Sequence, residues 1–173
     1  MLIGCKKGRK TRNIISGNDF NIQLFTANSI QIQGNYVGTD IDGNNAIDPN
    51  NTGVFVDGTV FDIIIGGTAD SSGNLISGNY DGIRIDQSAG NILIAKNKIG
   101  TNWNGMSPLG NGHTGVFING AGAFNTNVGI AGHGKLISGN SNSGARGIYI
   151  LNSSGHFIQG NKIGIRNDNS GAL

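Results

Sequence analysis

The sequence predicts an all-β parallel solenoid of about five coils, each built from three short strands, and three observations predict it. The hexapeptide Asn74-Leu75-Ile76-Ser77-Gly78-Asn79 recurs as Asn13-Ile14-Ile15-Ser16-Gly17-Asn18 and as Lys135-Leu136-Ile137-Ser138-Gly139-Asn140, both times at an interval of 61 residues. A match repeated at one fixed spacing marks a repeat protein. The short apolar runs alternate with period two and are bounded by Asn, Gly, Asp and Ser, the composition of strands joined by tight turns. Finally, 31 glycines against 2 prolines, with 36% hydrophobic residues, exclude a collagen-like chain, a Pro-rich linker and disorder.

Three kinds of run follow one another along the chain. The first is Gly-apolar-x-apolar: Gly53-Val54-Phe55-Val56, Gly82-Ile83-Arg84-Ile85, Gly115-Val116-Phe117-Ile118 and Gly147-Ile148-Tyr149-Ile150, with Asn21 to Phe25 as a degenerate earlier copy. The second comprises Ile30 to Asn35, Ile63 to Gly67, Ile92 to Asn97, Val128 to Gly132 and Phe157 to Asn161. The third alternates between the hexapeptide and Tyr36-Val37-Gly38-Thr39, Lys98-Ile99-Gly100-Thr101 and Lys162-Ile163-Gly164-Ile165. Strands that restart at a near-constant interval describe a chain stacking on itself, with parallel rungs about 4.8 Å apart. The whole of 1–173 therefore reads as one domain with super-repeats starting near 13, 74 and 135.

Asn18, Asn35, Asn79, Asn97, Asn140 and Asn161 are expected at corresponding corners, where Asn tolerates the left-handed backbone and its amide can stack into a ladder. Val54/Val56, Ile83/Ile85, Val116/Ile118 and Ile148/Ile150 are expected to fill the core as like-on-like columns. Two longer connections, Asp40 to Thr52 and Asn102 to Thr114, leave from equivalent points, and each is expected to fold over an outward leucine, Leu75 or Leu136.

Lys6, Lys7, Arg9, Lys10 and Arg12 carry five of the twelve basic groups; outside that run, seven basic groups against ten Asp leave −3. Such a run can contact a polyanion, but nothing extends it and no aromatics interleave with it, so a solvated turn is the simpler reading and nucleic acid is not expected. The one cysteine, Cys5, excludes an internal disulfide. No stretch reaches the length of a membrane span.

The units Asn-x-Ile-Ser-Gly-Asn, Gly-Ile-x-Ile and Ile-x-Gly-Asn-x-Ile-Gly-Thr resemble those of the right-handed parallel β-helix repeat proteins of the pectin-lyase-like superfamily, over essentially the whole chain. The resemblance implies a right-handed single-stranded parallel β-helix and a secreted or cell-surface setting. It does not fix an activity, because that superfamily mixes lyases, hydrolases, epimerases, tailspikes and inert stalks. Ile3-Gly4-Cys5 aligns with Ile65-Gly66-Gly67, and the residues from Asn167 onward align with the start of a loop. The chain is thus expected to be a fragment of a longer array that shields its ends by self-association.

Strand alternation places Phe55, Arg84, Phe117 and Tyr149 in one outward column, a candidate ligand-binding face on which aromatics stack with sugar rings and Arg84 holds a carboxylate. Asp57 and Asp86 fall on adjacent rungs of the next column, and with Arg84 they are the candidate catalytic residues. A solvated sheet face with Arg84 paired to its neighbouring Asp is the plainer expectation. Gly132-His133-Gly134 resembles a polygalacturonase motif, yet no Asp-Asp pair precedes it and no Arg-x-Lys follows. His113 and His156 have no second ligand at metal spacing. Asp40-Ile41-Asp42-Gly43-Asn44 offers alternate carboxylates to calcium but lacks the distal Glu, so a turn is expected there and no cofactor. Trp103 reads as a loop anchor.

The expected function is a non-catalytic structural or binding module, taking carbohydrate on the aromatic-Arg face and associating with itself. The alternative is a polysaccharide lyase or glycoside hydrolase acting through the paired Asp. A third expectation, polyanion binding through Lys6 to Arg12, carries a steep salt dependence.

Overall fold

The computed structural model describes residues 1–4, 12–48, 51–87, 89–132, 135–140 and 142–173, and every regular element among them is a β-strand. The first triplet is β1 (Leu2–Gly4), β2 (Ile14–Ile15) and β3 (Phe20–Phe25), and the second is β4 (Gln31–Gln33), β5 (Tyr36–Val37) and β6 (Thr52–Asp57). The third is β7 (Phe61–Gly66), β8 (Leu75–Ile76) and β9 (Asp81–Asp86); the fourth is β10 (Gly90–Ala95), β11 (Lys98–Ile99) and β12 (Thr114–Asn119). The fifth is β13 (Phe124–Val128), β14 (Leu136–Ile137) and β15 (Arg146–Leu151), followed by β16 (Phe157–Ile158) and β17 (Lys162–Ile163). Members of each triplet join three different parallel sheets in strict rotation, here A, B and C. The result is a β-solenoid with three strands per coil, in which the five expected coils are five triplets enclosing about four full turns.

Register explains the core. In sheet C, Val54 pairs with Ile83, Ile83 with Val116 and Val116 with Ile148. Sheet B stacks Ile15, Val37, Ile76, Ile99 and Ile137, and sheet A stacks Ile32, Ile65, Ile94 and Val128. Burying one such side chain stabilises by about 1.5–3 kcal/mol, while fixing one residue's backbone costs about 1–2 kcal/mol.

One run sits elsewhere than expected. The last sheet-A run before the C-terminal coil reads as Val128 to Gly132, but the strand is Phe124–Val128, with Val128 opposite Ile94 and Thr126 opposite Ile92. Thr126 is fully buried in an isoleucine's place, so polarity hid the strand.

The asparagine corners also divide. Strand pairing sets Leu75 against Lys98, which brings Asn74, not Asn79, to Asn97. One ladder runs Asn13, Asn35, Asn74, Asn97 through side-chain bonds of 2.9, 3.2 and 2.9 Å. The other runs Asn21, Asn79, Asn111, Asn140 at 3.0, 3.0 and 3.1 Å. Asn35 and Asn97 thus stand at one corner and Asn79 and Asn140 at another. Asn161 donates to the Val128 carbonyl at 2.6 Å, as Asn97 donates to Ile65, whereas Asn18 is exposed and bonds Asn21. Matching the Gly-Asn pairs by residue type merged two corners that hydrogen bonding keeps apart.

The loops after β5, β11 and β17 each close an antiparallel bridge, Thr39–Ala46, Thr101–Pro108 and Ile165–Ala172. They stack: Trp103 N–H donates to the Gly43 carbonyl and Asn167 N–H to that of Gly105, at 2.9 and 3.0 Å. Gly105 lies so close over Leu136 that a Cβ there would come within 2.6 Å of Leu136 Cδ2. Leu75 and Leu136 point away from the core yet are buried, because these loops cover them. Cys5, Lys6, Lys7, Arg9, Lys10 and His133 lie outside the described residues. Among the described residues no helix is long and apolar enough to cross a membrane.

Candidate functional site

Sheet C places the expected column together: Gln23, Phe55, Arg84, Phe117 and Tyr149 are direct neighbours on successive rungs. Their groups stack along the solenoid axis. The Arg84 guanidinium lies 5.7 Å from the Phe55 ring centre and 5.3 Å from that of Phe117. Phe117 and Tyr149 lie 5.0 Å apart and 7° from parallel. Phe20 stacks on Phe55 at 5.2 Å and Arg146 lies 4.4 Å over Tyr149, extending both ends.

Phe20 and Arg146 belong to a column that strict alternation missed: Phe20, Thr52, Asp81, Thr114 and Arg146. The next residue is glycine in four of the five strands, and it occupies an inward place. A Cβ on Gly82 would meet the Gly115 carbonyl at 2.6 Å and Ile99 Cγ2 at 3.0 Å. With Gly82 and Ile83 both inward, alternation slips by one and the Asp81 side chain turns to the same face as Arg84. The glycine opening four of the five runs is the trace this leaves in the sequence, while the crowding that explains it comes from the next rung.

Asp81 and Asp86 are both buried, and a buried carboxylate needs partners. Arg84 Nε donates to Asp86 Oδ2 at 2.9 Å, and its Nη1 lies 3.8 Å from Asp81 Oδ2. Asp81 Oδ1 lies 2.8 Å from His113 Nδ1. The His113 ring stacks on Tyr80 at 5.0 Å and meets Phe117 edge-on at 6.3 Å. His113, read as isolated in sequence, is therefore part of this face: the backbone chain Asn51, Tyr80, His113, Arg146 sets it one rung from Tyr80. Asp57 follows Val56, which pairs with Ile85, so Asp57 and Asp86 occupy adjacent rungs. Asp57 Oδ1 accepts its neighbour Gly58 N–H at 2.8 Å. Asp86 Oδ1 has no hydrogen-bond partner among the described residues.

Elsewhere, Asp40 Oδ1 and Oδ2 accept Asn44 N–H and Asn45 Nδ2 at 3.0 and 2.7 Å. Slight burial pushes the Asp40 pKa up, but these bonds outweigh it and hold it below the ordinary value. The carboxylate closes a turn. No group of three His, Cys, Asp or Glu converges among the described residues. His156 accepts Thr126 N–H on Nδ1 at 3.3 Å and meets Ser153 Oγ through Nε2 at 2.7 Å. Cavities of about 590 and 680 Å³ lie by the loops, both lined by Arg12, Tyr36 and Trp103. A third, of about 430 Å³, has Lys96, Lys98, Lys135 and Lys162 in its lining. None of the three includes a member of the Phe55–Tyr149 column.

No family model, no curated protein and no solved structure matches this chain.

Proposed function

We propose that the chain is a non-catalytic structural and binding module: a rigid β-solenoid that presents sheet C to carbohydrate and associates with itself. The observation that carries the non-catalytic reading is the closure of the site upon itself. Arg84 is spent on Asp86 and Asp81, Asp81 also on His113, and Asp57 on Gly58. An acid–base pair needs carboxylates turned toward a substrate, and here Asp81 and one oxygen each of Asp57 and Asp86 are held by neighbours. The ring faces of Phe55, Phe117 and Tyr149 are likewise covered by one another and by arginines. What remains for a sugar is the exposed Tyr80 ring, which extends the face, and the part of the Arg84 guanidinium left to solvent. These suit hydrogen bonding and stacking with a polyhydroxylated chain lying across the rungs.

A panel of polysaccharides tested for both binding and cleavage decides the matter. Binding weakened by Tyr80→Ala or Arg84→Met, without cleavage, agrees with the proposal. Cleavage abolished by Asp57→Asn establishes instead the carbohydrate-active enzyme to which the pectin-lyase-like resemblance also extends. Self-association is supported by Phe157, Ile158 and Ile163, exposed on the last strands, and by Phe25 and Ile14 on the first. Among the described residues the outermost strand of each sheet is paired along one edge, and strand edges can pair with another chain. A monomeric mass by light scattering at high concentration would overturn that part.

A further inference from the structure

A second site lies away from sheet C. Lys135 begins the third super-repeat where the first two have Asn13 and Asn74. It therefore stands in the ladder column between Asn97 and Asn161, as pairing of Leu136 with Lys98 and with Lys162 requires. The side chain is almost completely buried, 1% exposed. Its Nζ has no hydrogen-bond partner among the described residues. Burial pushes the Lys135 pKa well below the ordinary lysine value. An asparagine at this place would continue the amide ladder; an ammonium can only donate, and among the described residues it has nothing to donate to.

Lys135 also lines the cavity of about 430 Å³, together with Lys96, Lys98 and Lys162. No carboxylate is among its lining residues. Lys96 is held by Asp70 at 2.7 Å, and Lys162 Nζ donates to the Asn167 carbonyl at 2.6 Å. Two of the lysines are thus fixed in position around a concave space whose charged lining residues are all lysines. A buried cation without a counter-charge is costly, and an anion with several acceptor oxygens would answer it.

We propose that this cavity is an oxyanion-binding site, in which Lys135 is the buried anchor and Lys96, Lys98 and Lys162 form the basic surround for a carboxylate, phosphate or sulfate group. The site is independent of the sheet-C reading and stands or falls without it.

The test is isothermal titration of the 173-residue chain with inorganic sulfate and, separately, with acetate, in a chloride background of constant ionic strength. Saturable one-to-one binding of either anion is expected, and which of them binds distinguishes a tetrahedral group from a carboxylate. Lys135→Met keeps the length of the buried stem, and Lys135→Asn restores the residue of the other two super-repeats. Each is expected to weaken binding by about tenfold or more, the effect of losing a charge-assisted hydrogen bond. Absence of saturable binding by both anions overturns the proposal. So does binding unchanged in both variants, which would reduce the lysines to a diffuse surface attraction.

Discussion

Asn74 is the residue whose loss tests the ladder most directly. Its Oδ1 accepts the Asn35 backbone N–H at 2.9 Å and Asn35 Nδ2 at 3.2 Å, and its Nδ2 donates to the Ile32 carbonyl at 2.8 Å and to Asn97 Oδ1 at 2.9 Å. Asn74→Ala removes all four bonds from a buried site. Asn97 Oδ1 keeps the Asn74 backbone N–H, so the principal orphans are the Asn35 N–H and the Ile32 carbonyl. Each buried group left unpaired costs about 1–3 kcal/mol, so the loss is expected to be about 2–6 kcal/mol, a large share of a typical 5–15 kcal/mol. Urea unfolding followed by circular dichroism and Trp103 fluorescence measures it, with the slope checked for constancy. Asn18→Ala is the internal control: Asn18 is exposed and bonds Ser16 and Asn21, so a change within about 0.5 kcal/mol is expected. A loss below about 1 kcal/mol for Asn74→Ala, or equal losses at both positions, refutes the claim that the buried ladder sets coil stability.

Three further outcomes are expected. His156 must be neutral, since its Nδ1 accepts Thr126 N–H while Ser153 Oγ gives its own proton to the Ala123 carbonyl and receives that of Nε2. Burial lowers its pKa, so its contribution is complete above the ordinary value near about 6.5 and is lost as pH falls through the folded value. The urea midpoint should therefore drop as pH falls below about 6.5, and drop less in His156→Gln. Gly105→Ala forces a Cβ against Leu136 Cδ2 at 2.6 Å and at φ +79°, which should destabilise by about 1–3 kcal/mol and raise proteolytic nicking of the Asn102 to Thr114 loop. Arg84→Met leaves Asp81 and Asp86 without their guanidinium; because Arg84 is about a third exposed, the expected loss is about 2 kcal/mol, below that of a fully buried pair. An unchanged thermal midpoint for Arg84→Met would show that the two carboxylates find solvent without it.

The winding was legible because it is local and periodic. Every rung restates the same inward Ile and Val, and the 61-residue interval lets each restatement check the others. The loops over Leu75 and Leu136 were legible for the same reason, since an outward leucine in a repeat needs a cover. The candidate face on sheet C was legible in part. Phe55, Arg84, Phe117 and Tyr149 follow from period two alone, but Asp81, His113 and Tyr80 do not. They depend on a glycine crowded by the carbonyl of the next rung, a contact between residues more than thirty positions apart. The asparagine ladders were legible as ladders but not in their division between two corners, for a related reason: which Asn faces which is decided by the pairing of Leu75 with Lys98, and residue type cannot choose between two corners of the same composition.

A repeat protein carries its own internal control, and the control sharpens where function is sought. Where a column holds its residue type, as Ile32, Ile65 and Ile94 do, packing accounts for the choice. Where a column breaks, packing has been overruled or relaxed, and the two cases differ in their physics. Thr126 replaces isoleucine and leaves a buried hydroxyl with no hydrogen-bond partner among the described residues, yet it buries no charge, so the departure is mild. Lys135 replaces asparagine with a longer chain and a charge that no described neighbour answers. A bare substitution of that kind lowers stability with no local return, which is the pattern expected where stability is given up for binding. Lys135→Asn separates the two possibilities in one protein. If it stabilises the chain while sulfate or acetate binding disappears, the break in the column is a site. If stability rises and no anion ever bound, Lys135 is a defect that the remaining coils carry.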